Sequence, residues 1–280
     1  MVLLLTYSIK NNMKKILFLL LAVFILNSCA KNGISGRKQT KLINEQQLQT
    51  MALQEYRSFL SSAKVVTNNT NRDAEMVRRV GSRISTAVTT YYTGLGKGNL
   101  FEGYNWEFNL VDAKDVNAWC MPGGKVVVYT GLLPITQNEA ALAVVMGHEI
   151  AHALLTHGNE RMSNAMLAQL GQIAGNVALA NDPRAVQTFD QLYGIGAQAG
   201  VLLPYQRKQE LEADRYGLRF AAMAGYNPRE SVPLWQRMEA ASAGAQRPPA
   251  WLSTHPAEQD RITQLNKYMD EALGFYKPVR

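Results

Sequence analysis

Cysteine is nearly absent from this 280-residue chain, which has only Cys29 and Cys120. If Cys29 carries another modification, Cys120 has no disulfide partner and the fold rests on its apolar core alone. A strong charge imbalance is missing as well. The formal net charge is +7, and three of the lysines (Lys10, Lys14, Lys15) lie in a leader-like segment without acids, which leaves +4 on the remainder. That surplus is mild, and no basic run with interleaved aromatics accompanies it, so nucleic acid is not an expected partner. No Gly-rich phosphate loop or dinucleotide fingerprint stands in a strand-to-helix setting; GLGKG at Gly94 to Gly98 lacks the spacing and the following Ser or Thr, and reads as a turn.

Long apolar runs are scarce too. The run in Met13 to Cys29, MKKILFLLLAVFILNSC, is too short for a membrane span and closes in small or polar residues before cysteine, the pattern of a bacterial lipoprotein signal. The expected organisation is a signal peptide over residues 1–28, with Met13 an alternative start, then a polar tether over 29–41 and one domain over 42–280. Cys29 is then the lipidated first residue. Ala30 after it, in place of an aspartate, points to the periplasmic face of the outer membrane.

What the chain does have is His148, Glu149, Ile150, Ala151 and His152, which spell HExxH inside the apolar stretch Ala140 to Leu155. On a helix, two histidines four apart stand one above the other, where both imidazoles reach a single zinc ion. Glu149 then lies beside the metal, placed to take a proton from a zinc-bound water. A catalytic zinc takes three protein ligands and keeps one open position, so another ligand has to come from elsewhere. His157 is expected on the opposite side of this helix, near its end, where a cation suits the dipole. The metzincin extension is excluded, because the chain has Leu155 and Gly158 where glycine and histidine are required.

Downstream, Leu203 to Gly217 reads LPYQRKQELEADRYG, with Glu210 and Asp214 four apart on a helical stretch. Glu210 would complete a two-histidine, one-glutamate site, and Asp214 would accept the outer N–H of a zinc-bound histidine. Glu212, about 200° round the helix from Glu210, is expected in solvent.

HEIAHALLTH, QELEADRYG and LSTHPAEQDRI, with NAWCMPGGKVVVYTG (Asn117 to Gly131) before them, resemble the motif blocks of the HtpX and CAAX-prenyl-protease family of zinc metallopeptidases, in the soluble lipoprotein-type branch typified by LoiP. The resemblance runs from Leu42 to Met269, without the transmembrane spans of membrane-embedded members or the helical repeats of larger ones. It implies that His148, His152 and Glu210 are the zinc ligands and Glu149 the general base. It also implies that His255 approaches the zinc from outside these three. There His255 would act as a self-inhibitory latch or a catalytic group, or else it is an ordinary helix-start residue before Pro256, and Arg261 lies near enough to steady an oxyanion.

The fold class expected is α+β, mostly helical, with a small antiparallel sheet beside the HExxH helix. Helices are expected over Glu45 to Ser62, Asp73 to Tyr92, Asn138 to His157, Asn159 to about Ala180, Gln206 to Ala224, from Asn227 on, and Arg261 to Leu273; strands over Trp106 to Val111 and Lys125 to Thr130; and a loop over Gly244 to Ala250. Leu167 to Leu203 reads as a packed helical pair in the core, or as a mobile cover. Asn117, Ala118, Val126, Val127 and Val128 are the candidates for holding an extended peptide through backbone hydrogen bonds, unless that strand is wholly paired internally. These features point to a zinc metalloendopeptidase, one zinc per chain, acting on unfolded or misassembled envelope proteins. A lipid-anchored assembly factor that binds zinc but rarely cleaves is the alternative, and Glu149 argues against it, since a structural zinc needs no base.

Overall fold

Asparagine starts the helices that carry the domain. In the computed structural model, which describes residues 29–67, 71–180, 182–198, 202–243, 251–252, 255 and 261–278, Asn44, Asn71 and Asn138 each accept backbone N–H groups with the side chain at a helix N-terminus. The helices they open are α1 (Glu45–Ser62), α2 (Arg72–Gly94) and α3 (Glu139–Leu154). After α3 come α4 (His157–Ala178), α5 (Pro183–Ala197), α6 (Leu203–Met223), α7 (Ser231–Ser242) and α8 (Arg261–Leu273). The strands are β1 (Cys29–Lys31), β2 (Lys38–Thr40), β3 (Glu107–Val111), β4 (Ala118–Met121) and β5 (Lys125–Tyr129). The α+β, helix-dominated class is as expected. The signal-like run before Cys29 and the expected loop 244–250 lie outside the described residues, and no described helix is long and apolar enough to cross a membrane.

The central sheet is mixed rather than antiparallel. β5 lies in the middle, parallel to β3 and antiparallel to β4. Alternate β5 residues serve two cores: Val126 and Val128 face α2 and α3 with Phe108, Leu110 and Ala118, and Val127 packs with Val111, Tyr56 and Trp119 under α1. Burial on both faces explains the unbroken apolar run of Val126, Val127 and Val128. It also overturns their expected role: with both backbone edges of β5 already paired, none of the three can take a peptide. The edges are β3, bridged at Val111 by Val65, and β4, which begins at Ala118 directly after Asn117 and pairs on one side with β5.

α3 is buried all round, from Ala141 to Leu154, so it is the hub of the core rather than an amphipathic surface helix. It crosses α6 at two glycines. A Cβ on Gly147 would stand 2.6 Å from the Gly217 carbonyl oxygen, and one on Gly217 would stand 2.7 Å from the His148 backbone nitrogen. This close approach brings Glu210 and Asp214, two turns and one turn before Gly217, against the histidines of α3.

Two further expectations give way here. Residues 29–41 are no tether, because β1 and β2 form an antiparallel hairpin with Cys29 opposite Thr40, docked on the end of α3. The Asn32 side chain donates to the Leu154 carbonyl at 3.3 Å and Gln39 to that of Leu155 at 2.6 Å, satisfying orphan carbonyls at the helix C-terminus. The pair α4–α5 is packed on itself rather than in the core: Leu170, Ile173, Val177 and Leu192 remain exposed, Leu192 to 66%.

Candidate metal centre

Three side chains from two helices meet at one point. His148 Nε2 and His152 Nε2 lie 3.0 Å apart, Glu210 Oε2 lies 3.4 Å from the first and Glu210 Oε1 3.3 Å from the second. His255 joins them, and among the described residues these four form a group whose ligand-capable atoms all lie within 4.8 Å of one another. The spacing of four in HExxH produces the first pair, and the glycine-mediated helix crossing supplies Glu210.

The donor set suits a cation. His148 Nδ1 is 2.9 Å from Asp214 Oδ1, so its proton sits there and its Nε2 lone pair turns toward Glu210 and His152. Glu210 Oε2 is buried without a hydrogen-bond partner. Burial pushes the carboxyl of Glu210 up, but the two imidazoles outweigh it and hold it far below the usual range. Burial lowers His148, yet Asp214 and Glu210 raise it to about 9, whereas burial keeps His152 well below the ordinary histidine value. Carboxylate and imidazole lone pairs converging in a dry pocket are what a divalent metal requires.

Glu149 Oε1 accepts from the Trp251 indole N–H at 2.6 Å and lies 3.6 Å from His255 Nε2. Trp251 also stacks on the His255 ring, with centroids 4.9 Å apart. Sequence alone does not single out Trp251, because nothing local to WLSTHP says where an indole will reach. Arg261 takes a place other than the one expected. Its Nη2 donates to Asp214 Oδ1 at 2.6 Å, its Nη1 is 3.7 Å from Glu210 Oε2, and its guanidinium lies 3.9 Å over the Trp235 ring. A buried guanidinium committed to two carboxylates holds ligands in place and is not free for an oxyanion.

The expectations for His157 and Glu212 are corrected as well. α3 ends at Leu154, and Thr156 adopts a left-handed conformation at φ 55° that turns the chain back. His157 therefore opens α4, fully buried, with Nδ1 2.8 Å from His152 Nδ1 and Nε2 2.9 Å from Glu212 Oε2. Burial keeps His157 below the usual histidine range, against the pull of Glu212. Burial also works against ionisation of Glu212, but His157, Ser35 and Arg37 hold it at about 2. Neither residue is solvated. The helical run breaks at Leu155 and Thr156, and nothing local gives the direction of the turn. Cys29 begins β1, its backbone opposite Thr40 in the hairpin.

A mostly helical domain with HExxH on a buried helix, and an acidic ligand donated by a second helix, defines a metallopeptidase of the zincin type. The chain belongs to peptidase family M48, whose model matches residues 97–269. It is 32% identical over 267 residues to the mitochondrial metalloendopeptidase OMA1 of Bos taurus, covering 91% of this chain and 49% of that protein. Against OMA1 of Schizosaccharomyces pombe it is 35% identical over 167 residues, covering 60% and 48%. It is 30% identical over 162 residues to the β-barrel assembly-enhancing protease of Yersinia pestis, covering 56% and 33%. The chain thus spans about half or less of the length of these relatives. They support the family and a proteolytic activity, and lend nothing to the narrower lipoprotein-type branch.

Proposed function

We propose that the chain is a zinc-dependent endopeptidase of the bacterial cell envelope that cleaves unfolded or misassembled proteins. One observation carries the catalytic part: two imidazole nitrogens and a buried carboxylate oxygen without a hydrogen-bond partner converge beside a second carboxylate, Glu149, that is not needed to complete the set. His148, His152 and Glu210 would hold the zinc, which when bound polarises the scissile carbonyl and makes water a nucleophile near neutral pH. Glu149 accepts the proton from the attacking water and returns it to the leaving amine, with the Trp251 indole fixing its carboxylate. Asp214, steadied by Arg261, keeps His148 in the tautomer that presents Nε2. An extended substrate pairs along the free edge of β4, next to Asn117 and Ala118, reading backbone rather than side chains, which suits unfolded chains.

His255 serves as the latch. Its place among the ligand atoms supports a resting state in which it competes with water, and His255→Ala is expected to keep zinc and cleave an unfolded substrate faster. A hundredfold loss of activity with zinc unchanged would assign it a catalytic role instead. The envelope address rests on the lipoprotein-like run before Cys29 and on the similarity to a protease named for β-barrel assembly; the lipoprotein-type branch of the family rests on the first alone. Because Cys29 already lies in β1, a lipid on it would hold the domain against the bilayer with no slack. The ligand set is tested by zinc stoichiometry: His148→Ala, His152→Ala and Glu210→Ala should each lose the metal, and full zinc with full activity in Glu210→Ala would sink the assignment.

A further inference from the structure

Each histidine of the HExxH pair is backed by a chain of groups ending at an arginine. For His148 the chain is short: Asp214 accepts from the imidazole, and Arg261 donates to the same oxygen. For His152 it is one imidazole longer and ends outside the helical core. Arg37, in the turn of the β1–β2 hairpin, donates from Nη1 and Nη2 to the two Glu160 oxygens at 2.7 and 2.6 Å, and from Nε to Glu212 Oε2 at 2.8 Å.

We propose that His157 and Glu212 are positioning residues for His152, and that Arg37 makes the N-terminal hairpin part of that support. This rests on the reading that His152 binds the metal through Nε2. The direction of every hydrogen bond follows from the far end. A guanidinium only donates, so Glu212 Oε2 is an acceptor, and the His157 Nε2 facing the same oxygen carries a proton. A neutral imidazole protonated at Nε2 has its lone pair at Nδ1. The His152 Nδ1, 2.8 Å away, must then be the donor. That leaves the His152 Nε2 lone pair facing His148 Nε2 and Glu210, the one tautomer that can ligate there.

The hairpin also holds the bend that makes the contact possible. Gln39 accepts from the Thr156 hydroxyl at 2.9 Å while donating to the Leu155 carbonyl, clasping a β-branched residue in a left-handed conformation that such side chains disfavour. Without that bend α3 would run on and carry His157 away from His152. Three groups on the hairpin, Asn32, Arg37 and Gln39, thus converge on the five residues after His152 and on their partners.

The test is the zinc affinity of the full chain, measured by competition with a chromophoric chelator, together with the visible spectrum of the cobalt(II)-loaded protein. His157→Phe, which removes the acceptor but keeps the ring, should weaken zinc by about 10- to 100-fold and alter the cobalt bands. His157→Asn places Oδ1 where Nδ1 stood, and should recover affinity to within about threefold of the parent, a rescue that space-filling alone would not produce. Glu212→Met, which removes the acceptor at the next link, should weaken zinc in the same direction and decides the matter if His157→Phe does not fold. Parent-like affinity and spectrum in His157→Phe or in Glu212→Met, or an Asn variant no better than Phe, would overturn the proposal. His152→Ala separates the two levels. If it binds zinc as the parent does, the ligand assignment itself has failed; if it loses zinc while His157→Phe does not, only the supporting chain has.

Discussion

His148 and His152 sit four residues apart on one helix and are driven in opposite directions. Burial lowers both, but His148 faces the carboxylates of Asp214 and Glu210 and ends near 9, whereas His152 has His148 and His157 against it as well. The difference lies in the outer partners, and these are where substitutions should discriminate. Asp214→Asn should weaken zinc by about 10- to 100-fold without abolishing the site, measured by chelator competition. Trp251→Phe removes a hydrogen bond to a carboxylate worth about 1.5–3 kcal/mol, so kcat should fall about tenfold or more while zinc stoichiometry stays at the parent value. Loss of zinc in Trp251→Phe would contradict that division of roles. At this scale His148, Glu149, His152, Glu210 and Asp214 were legible in the sequence because helical periodicity alone puts each pair on one face. His157 and Glu212 were not, since their meeting depends on one left-handed residue and on Arg37, an arginine more than a hundred positions away in the chain.

Between elements, the site depends on how closely α3 and α6 approach. Gly147 and Gly217 face each other with no room for a methyl group, so Gly217→Ala should cost about 1–3 kcal/mol in stability through overpacking. It should also displace Glu210 and weaken metal binding. A thermal melt and a zinc titration on the same preparation check both, and an unchanged Tm would mean that the crossing relaxes freely. Most helix bounds could be read to within a few residues from apolar periodicity, and α1 and α8 fall where the sequence put them. Sheet order could not. The β-branched run says that Lys125–Tyr129 is a strand, but whether it lies at an edge or in the centre is decided by β3 and β4, whose pairing leaves no local mark. For α4 and α5, apolar content suggested burial, yet their exposed stripe shows that the composition of a helical pair does not say what it packs against.

Across the whole molecule the N-terminal segment changes status, from a linker to a structural part of the metal centre. Starting the chain at Leu42 removes Asn32, Arg37 and Gln39 together, leaving the Leu154 and Leu155 carbonyls and the buried Glu160 without those partners. The Tm should drop by roughly 5 °C or more, and zinc affinity should fall in parallel. A truncated chain with parent-like Tm and zinc affinity would return residues 29–41 to the role of a tether. The claim that joins all three scales is that this fold assembles a zinc site with a dedicated base. It is tested most directly by comparing cleavage of an unfolded protein such as casein by the parent and by Glu149→Gln, with zinc measured in both. The account predicts one zinc per chain in each and cleavage by the parent alone; cleavage by Glu149→Gln at the parent rate, or a parent that cleaves without zinc, would contradict it.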